Sequence, residues 1–268
     1  MSFNTIGKTL NWSVKALKQL ASRRSRFVVA RPPFIARQVL YDKKTRSRIM
    51  VNTRDKIDRA VIKQIFVEED YGLRVFDRHQ DISARYEEIC ASGRVPLIID
   101  AGANIGASCL YFANEFPRAH VIGIEPEPNN FHVASENCRN TSNIQLLHAG
   151  LASAAGRANI HNPTADNWAF QTRVDTQGDL ALVSINELVA GAEKNNQIPF
   201  LVKIDVEGFE ENIFAANTEW VDQFYVLIIE LHDWMLPRQA NSRHFLECIA
   251  PLGRDFVYRA ENVFSIKN

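Results

Sequence analysis

Short, uninterrupted apolar runs alternate along this chain with segments whose apolar residues recur every three to four positions. Leu97–Ile99 and Val121–Ile124 are such runs, Phe200–Val206 is apolar apart from Lys203 and Asp205, Tyr225–Leu231 is apolar until Glu230, and Ile144–Ala149 is a further strand. Continuous apolarity of this kind is what a parallel strand covered on both faces requires. Between the runs, Cys109, Leu110, Phe112, Ala113 and Phe116 keep helical spacing until Pro117, and Asn129–Asn140 repeats the pattern with Phe131, Val133, Ala134 and Cys138. Helices are likewise expected within Leu182–Ala190, over Glu210–Asn217, and over Arg243–Leu252, where Gly253 ends the pattern. Phe256–Arg259 and Val263–Lys267 flank Glu261-Asn262 as a closing hairpin. Five parallel strands, intervening helices and a final hairpin predict a doubly wound, Rossmann-like α/β sheet of seven strands with an antiparallel C-terminal hairpin.

The chain ahead of this domain follows other rules. In residues 1–30, Ile6, Leu10, Val14, Leu17 and Leu20 are spaced three and four apart among Lys8, Lys15, Lys18, Arg23 and Arg24. That is a basic amphipathic helix, whose stripe suits either an anionic membrane surface or a protein face, in this chain or a second subunit. Arg31-Pro-Pro breaks it, and Phe34–Val51 reads as a β-hairpin around Asp42-Lys43-Lys44. Ile57–Phe66 and Asp81–Ser92 are short helices. Residues 31–93 hold too little apolar surface to fold alone and are expected to cap the domain over 94–268. Residues 152–180 are polar and rich in turn formers, with strands expected at Ala158–His161 and Phe170–Val174. Trp168, between those strands, is a candidate substrate contact in a specificity loop or a buried anchor.

Charge changes the picture more than composition does. The formal net charge is zero, yet the first sixty residues carry 15 of the 31 basic side chains and 3 of the 31 acidic ones. A basic lead-in on an acidic body points to an anionic surface as partner, and no recognisable motif assigns that surface to nucleic acid. The 4 cysteines form no C-x-x-C pair, no apolar stretch reaches a spanning length, and no secretory leader is expected. A reducing, cytoplasmic compartment follows, with a peripheral position on the inner membrane face as the alternative.

The chemistry gathers where the strands end. Asp100 closes the first strand, and Gly102, Ala103, Asn104 and Gly106 make a tight turn before the next helix. Glycine there lets a ligand approach the backbone. The second strand ends in Glu125-Pro126, and an acid at that tip accepts hydrogen bonds from ribose hydroxyls. The order D-x-G-x-N-x-G departs from the dinucleotide fingerprint G-x-G-x-x-G. A carboxylate ahead of the first glycine repels pyrophosphate and suits the ammonium of S-adenosylmethionine. The third strand exits through Ala149-Gly150 without an acid for adenine. On the fourth strand, alternation places Lys203, Asp205 and Glu207 on one face, and the fifth ends in Glu230-Leu231-His232. If the two strands are neighbours, these groups share one pocket. Asp205, Glu207 or His232 would serve as general base, with Lys203 beside them and Glu230 toward substrate. Asp205, Glu207 and Glu230 could alternatively hold a divalent metal such as Mg²⁺. A salt-bridged network around Lys203 is the structural alternative, and Glu210 is expected to serve only a helix N-terminus.

Taken together, IIDAGANIG, IGIEPEPNNF, LVKIDVEGFE and LIIELH, in this order and spacing, resemble the FkbM-type S-adenosylmethionine-dependent methyltransferases across roughly Phe66–His232. The resemblance implies a class I methyltransferase fold and O-methylation of a hydroxyl, on a sugar of a bacterial glycan or on a natural product. By position, Asp100, Gly102, Asn104 and Gly106 would line the cofactor, Glu125 would bind its ribose, and Asp205 and Glu207 would face the substrate. A nicotinamide-dependent oxidoreductase and a non-catalytic membrane-associated binding protein are the competing functions. Oligomerisation stays open.

Overall fold

The computed structural model describes residues 25–30, 37–161, 171–174 and 178–268. Three strands, β1 (Phe27–Ala30), β2 (Arg37–Asp42) and β3 (Arg48–Asn52), form an antiparallel sheet and are followed by α1 (Lys56–Lys63) and α2 (His79–Ala91). The doubly wound part then runs through β4 (Val95–Ala101), α3 (Ala107–Glu115), β5 (His120–Glu125), α4 (Pro128–Cys138) and β6 (Ile144–His148). A smaller four-stranded sheet follows: β7 (Gly150–Leu151), β8 (Gly156–His161), β9 (Gln171–Val174) and β10 (Leu180–Val183). Next come α5 (Ile185–Lys194), β11 (Gln197–Ile204), α6 (Glu210–Ala215), β12 (Val226–Glu230), α7 (Arg243–Ile249), β13 (Asp255–Arg259) and β14 (Asn262–Ile266). The main sheet has seven strands in the order β13-β14-β12-β11-β4-β5-β6. β14 runs antiparallel between β12 and β13, and the β4, β5, β6, β11 and β12 ladders are parallel. This is the class I methyltransferase fold.

The apolar runs stay continuous because both sheet faces are buried. Ile98, Val121, Phe200 and Ile228 join the cluster of Phe112, Tyr86 and Ile89 on one face. Leu97, Ile99, Ile124, Val202 and Ile229 meet Val189, Phe214 and Phe245 on the other. Local signals set the helix starts. A Ser184–Glu187 capping box opens α5, and Pro128, with the Glu127 carboxylate accepting from Asn130 N–H, opens α4.

The lead-in shares the first of those cores: Phe27, Leu40, Val51, Ile62 and Phe66 pack with Phe112 and Tyr111. Arg26 clamps it, its guanidinium bonding Asp42 at 2.6 and 3.0 Å and also reaching Glu115 of α3. The helix expected over residues 1–30 is corrected at its end, because Phe27–Ala30 is strand β1, paired in register with Ala30 opposite Val39. Residues 1–24, with the rest of that helix, lie outside the described residues, as does Trp168.

The fourth parallel strand also differs from expectation. β11 stops at Ile204, so alternation does not govern Asp205 or Glu207. Asp205 N–H donates to Ala101 O at 3.1 Å, and the chain then turns through Glu207 at φ 53° and Gly208 at φ 88°. Both carboxylates therefore sit on a turn beyond the strand rather than on one strand face. Among the described residues, no helix is long and apolar enough to cross a membrane.

Candidate functional site

Three positive φ values shape the turn after β4: Gly102 at 81°, Asn104 at 48° and Gly106 at 79°. The Gly102 and Ala103 N–H groups both donate to Ile124 O at 3.0 Å, which ties the turn to the neighbouring strand. A Cβ on Gly102 would lie 1.8 Å from Asp205 O, so only glycine lets the two strand tips meet. Gly102→Ala combines that clash with left-handed backbone, and we expect a stability loss of about 1–3 kcal/mol with weakened cofactor binding. Chemical denaturation and calorimetry on the purified variant check this. Wild-type stability would show that the turn yields.

Glu125 stands at the tip of β5 and is nearly sealed from solvent. Its carboxylate accepts from Asn104 N–H at 2.7 Å and from Glu127 N–H at 2.9 Å. Burial pushes it up to about 7, against the pull of those hydrogen bonds. Asn130 Nδ2 also donates to Oε1 at 3.4 Å, which leaves a lone pair on Oε2, so this acceptor fits a nucleoside hydroxyl as well as the turn. Pro126 follows it, with its carbonyl 3.1 Å from His148 Nε2. Asp100, in contrast, does not face open space. It is fully buried, ion-paired to Lys203 at 3.2 Å, and accepts from Cys109 Sγ–H at 3.1 Å. Its carboxylate holds Lys203 beside the glycine turn.

Lys203 itself is 1% exposed. Its ammonium donates to Gly102 O at 2.8 Å and Ala101 O at 3.3 Å and pairs with Asp205 at 3.4 Å. Burial pulls its pKa down, but the charge of Asp100 and its other partners raise it well above the ordinary value, so it stays charged. Lys203 thus knits the glycine turn, the first strand and Asp205 together, with no donor left for a catalytic proton transfer.

β11 and β12 are neighbours, and their tips converge. His232, 1% exposed, points Nε2 toward Asp205 Oδ1 at 3.7 Å, Glu207 Oε2 at 3.5 Å and Glu230 Oε1 at 3.4 Å. Its Nδ1 meets Glu210 Oε1 at 2.5 Å. Glu210 is fully buried and is held in turn by Asn241 Nδ2 and by Gly208 N–H at 3.2 Å. Burial disfavours the imidazolium, yet hydrogen bonds to Glu210 and Glu230 and the nearby Asp205 charge outweigh it and raise His232 to about 11. Burial, then the Asp205 charge, pushes Glu207 up to about 8.

The tips open into a cavity of about 320 Å³ lined by Gly102, Asn104, Asp205, Glu207, Glu230 and His232. Its far wall comes from the lead-in, through Ile57 and Val61 of α1 and through Tyr71. Asp205, Glu207 and His232 each bring one ligand atom within 4.8 Å of the others. Within that grouping His232 occupies the place the sequence reading gave to Glu230. Asn241 and Trp234 carry no signal in the local sequence pattern, and Glu210, expected to serve only a helix N-terminus, also pairs with His232.

The Methyltransferase FkbM domain profile matches residues 100–259, more than half of the chain. Hexuronic acid methyltransferase AglP of Haloferax volcanii is 29% identical over 180 residues, covering 66% of this chain and 72% of its own. Methyltransferase sdnD of Sordaria araneosa is 41% identical over 64 residues, covering 23% of this chain and 25% of its own. Among solved structures, a precorrin-6y C5,15-methyltransferase from Geobacter metallireducens is 12% identical with a TM-score of 0.35, covering 65% of this chain and 81% of its own. With the profile spanning both strand tips that build the cavity, the chain belongs to the FkbM methyltransferase family and is a methyltransferase.

Proposed function

We propose that this chain transfers the methyl group of S-adenosylmethionine to a hydroxyl oxygen of a sugar or similar polyol. The observation that carries the reading is Glu207, poised between His232 and the cavity that also contains the glycine turn. The turn over Gly102–Gly106 and Glu125 would hold the cofactor, which supplies an already activated methyl group when bound. Glu207 would take the proton of the attacking hydroxyl as its oxygen bonds the methyl carbon, the carbon–sulfur bond breaking and the sulfonium leaving as a neutral thioether. A base with a pKa near the working pH is the efficient choice for that step. His232, kept protonated by Glu210, holds the Glu207, Asp205 and Glu230 carboxylates in place and balances their charge. Orientation supplies much of the remaining rate, since the donor needs no further activation. The substrate named for AglP, a hexuronic acid, supports a carbohydrate acceptor.

The reading is tested by incubating the protein with methyl-labelled S-adenosylmethionine and a panel of glycosides, then locating the label by mass spectrometry and NMR. An O-methyl ether is the expected product. Label on nitrogen or carbon would contradict it. A divalent cation at Asp205, Glu207 and His232 is a second reading, favoured by their 4.8 Å grouping. It would have to displace the proton that His232 holds. We therefore expect a chelator to leave the rate unchanged, and a rate restored only by Mg²⁺ or Mn²⁺ would reverse that choice.

A further inference from the structure

Trp234 is 63% exposed, an unusual position for a large aromatic side chain. It lies beyond the tip of β12 at the rim of the cavity, its ring centroid 6.2 Å from that of His232 and tilted by 42°. Ile57, Ala60 and Val61 of α1 supply an apolar wall to the same cavity. Beside the neutral Gln64, Asn104 and Ser108, its lining carries the carboxyl groups of Asp205, Glu207 and Glu230, with Glu261 from the β13–β14 turn. Among the described residues, the cations lining it are Lys203 and His232. Neither is available to a ligand anion, because Lys203 is shared between Asp100 and Asp205 and His232 is clamped by Glu210.

From these observations we infer that Trp234 and the acidic rim form an acceptor subsite for a neutral or amino-bearing pyranose, closed to a uronate. The inference rests on the O-methyltransferase reading above and narrows its substrate class. A pyranose has an apolar C–H face and hydroxyl edges. The indole offers the first a flat surface at little conformational cost, while the carboxylates accept hydrogen bonds from the second. With Glu207 ionised, as the methyl transfer requires, a sugar carboxylate would enter a cavity whose described lining sets four carboxylates against two cations, and like charges within a few ångströms are strongly disfavoured there. An ammonium substituent meets the opposite field. The cavity therefore selects against the substrate class named for AglP.

The test is a binding titration in the presence of S-adenosylmethionine, followed by ligand-observed NMR. The probes are methyl glucopyranoside, its 2-amino counterpart and its 6-carboxylate counterpart. Wild type, Trp234→Phe and Trp234→Ala are compared, each with its S-adenosylmethionine affinity measured separately. The neutral and amino sugars are expected to bind, and the uronate to bind at least about tenfold more weakly, with the gap narrowing at high salt. Trp234→Ala should weaken the two binders about tenfold and Trp234→Phe by much less, with cofactor affinity unchanged in both. Equal or tighter binding of the uronate, or an unaltered affinity in Trp234→Ala, overturns the subsite. Binding of S-adenosylmethionine with none of the three sugars bound overturns the pyranose assignment and leaves the methyl-transfer chemistry standing. Failure of wild type to bind S-adenosylmethionine removes that chemistry itself.

Discussion

Replacing Glu207 by glutamine is expected to lower kcat by about 10²–10⁴-fold, the usual contribution of a positioned general base. Cofactor affinity should not change, because Glu207 lies on the turn beyond β11 and not on the glycine turn. The wild-type rate should rise with pH on a limb near 8, since the base works deprotonated and burial with the Asp205 charge holds it there. Glu230→Gln removes one of the negative charges that raise Glu207, so its limb should move toward the ordinary carboxylate range. A kcat profile across pH for the three proteins checks both statements. A limb that stays near 8 in Glu207→Gln would assign the proton to another group of the cluster. The backbone at Glu207 agrees with a functional role. A non-glycine residue at φ 53° is held in an uncommon conformation by its surroundings, and such positions gather at active sites.

The second large effect concerns stability. Lys203→Met is expected to destabilise the protein by about 3–5 kcal/mol, because it leaves Asp100 buried and unpaired beside Gly102. Methionine fills most of the volume, so the loss isolates the charge and its hydrogen bonds. Asp100→Asn with Lys203→Met should recover part of that loss, since the double variant no longer buries an isolated anion. Urea denaturation of the two proteins measures it. If Lys203→Met folds with wild-type stability and loses only activity, the lysine is a catalytic group rather than the tie between strand tips.

Much of the fold was legible because its driving force is continuous burial. Leu97–Ile99 has no polar break and the Tyr225–Leu231 run has none before Glu230, and only a strand covered on both faces calls for that. The glycine turn was equally plain, since Gly102 and Gly106 stand where positive φ is needed. The errors have equally specific causes. Lys203, Asp205 and Glu207 alternate with apolar residues, which mimics a strand. The left-handed turn at Glu207-Gly208 leaves little trace in composition beyond the glycine itself. Phe27–Ala30 was absorbed into the preceding helix because four apolar residues fit either period, and its partner strand lies beyond Arg31-Pro-Pro. Glu210 looked like a helix-terminus acid. Its contact with His232 depends on the β11–β12 pairing and on Asn241, long-range facts that no local pattern encodes. Trp234 had no partner in the sequence reading because its meaning comes from the cavity that forms beside it.

The measurement that tests the account most directly is calorimetric binding of S-adenosylmethionine and NAD to wild type and to Glu125→Gln. The account predicts micromolar S-adenosylmethionine affinity, about −8 kcal/mol, with no comparable affinity for NAD. It also predicts at least a tenfold loss in Glu125→Gln, about 1.4 kcal/mol, from the weakened acceptor at the tip of β5. Absent S-adenosylmethionine binding, a preference for NAD, or an unchanged affinity in Glu125→Gln would contradict the assignment of this turn and its acid to the methyl donor.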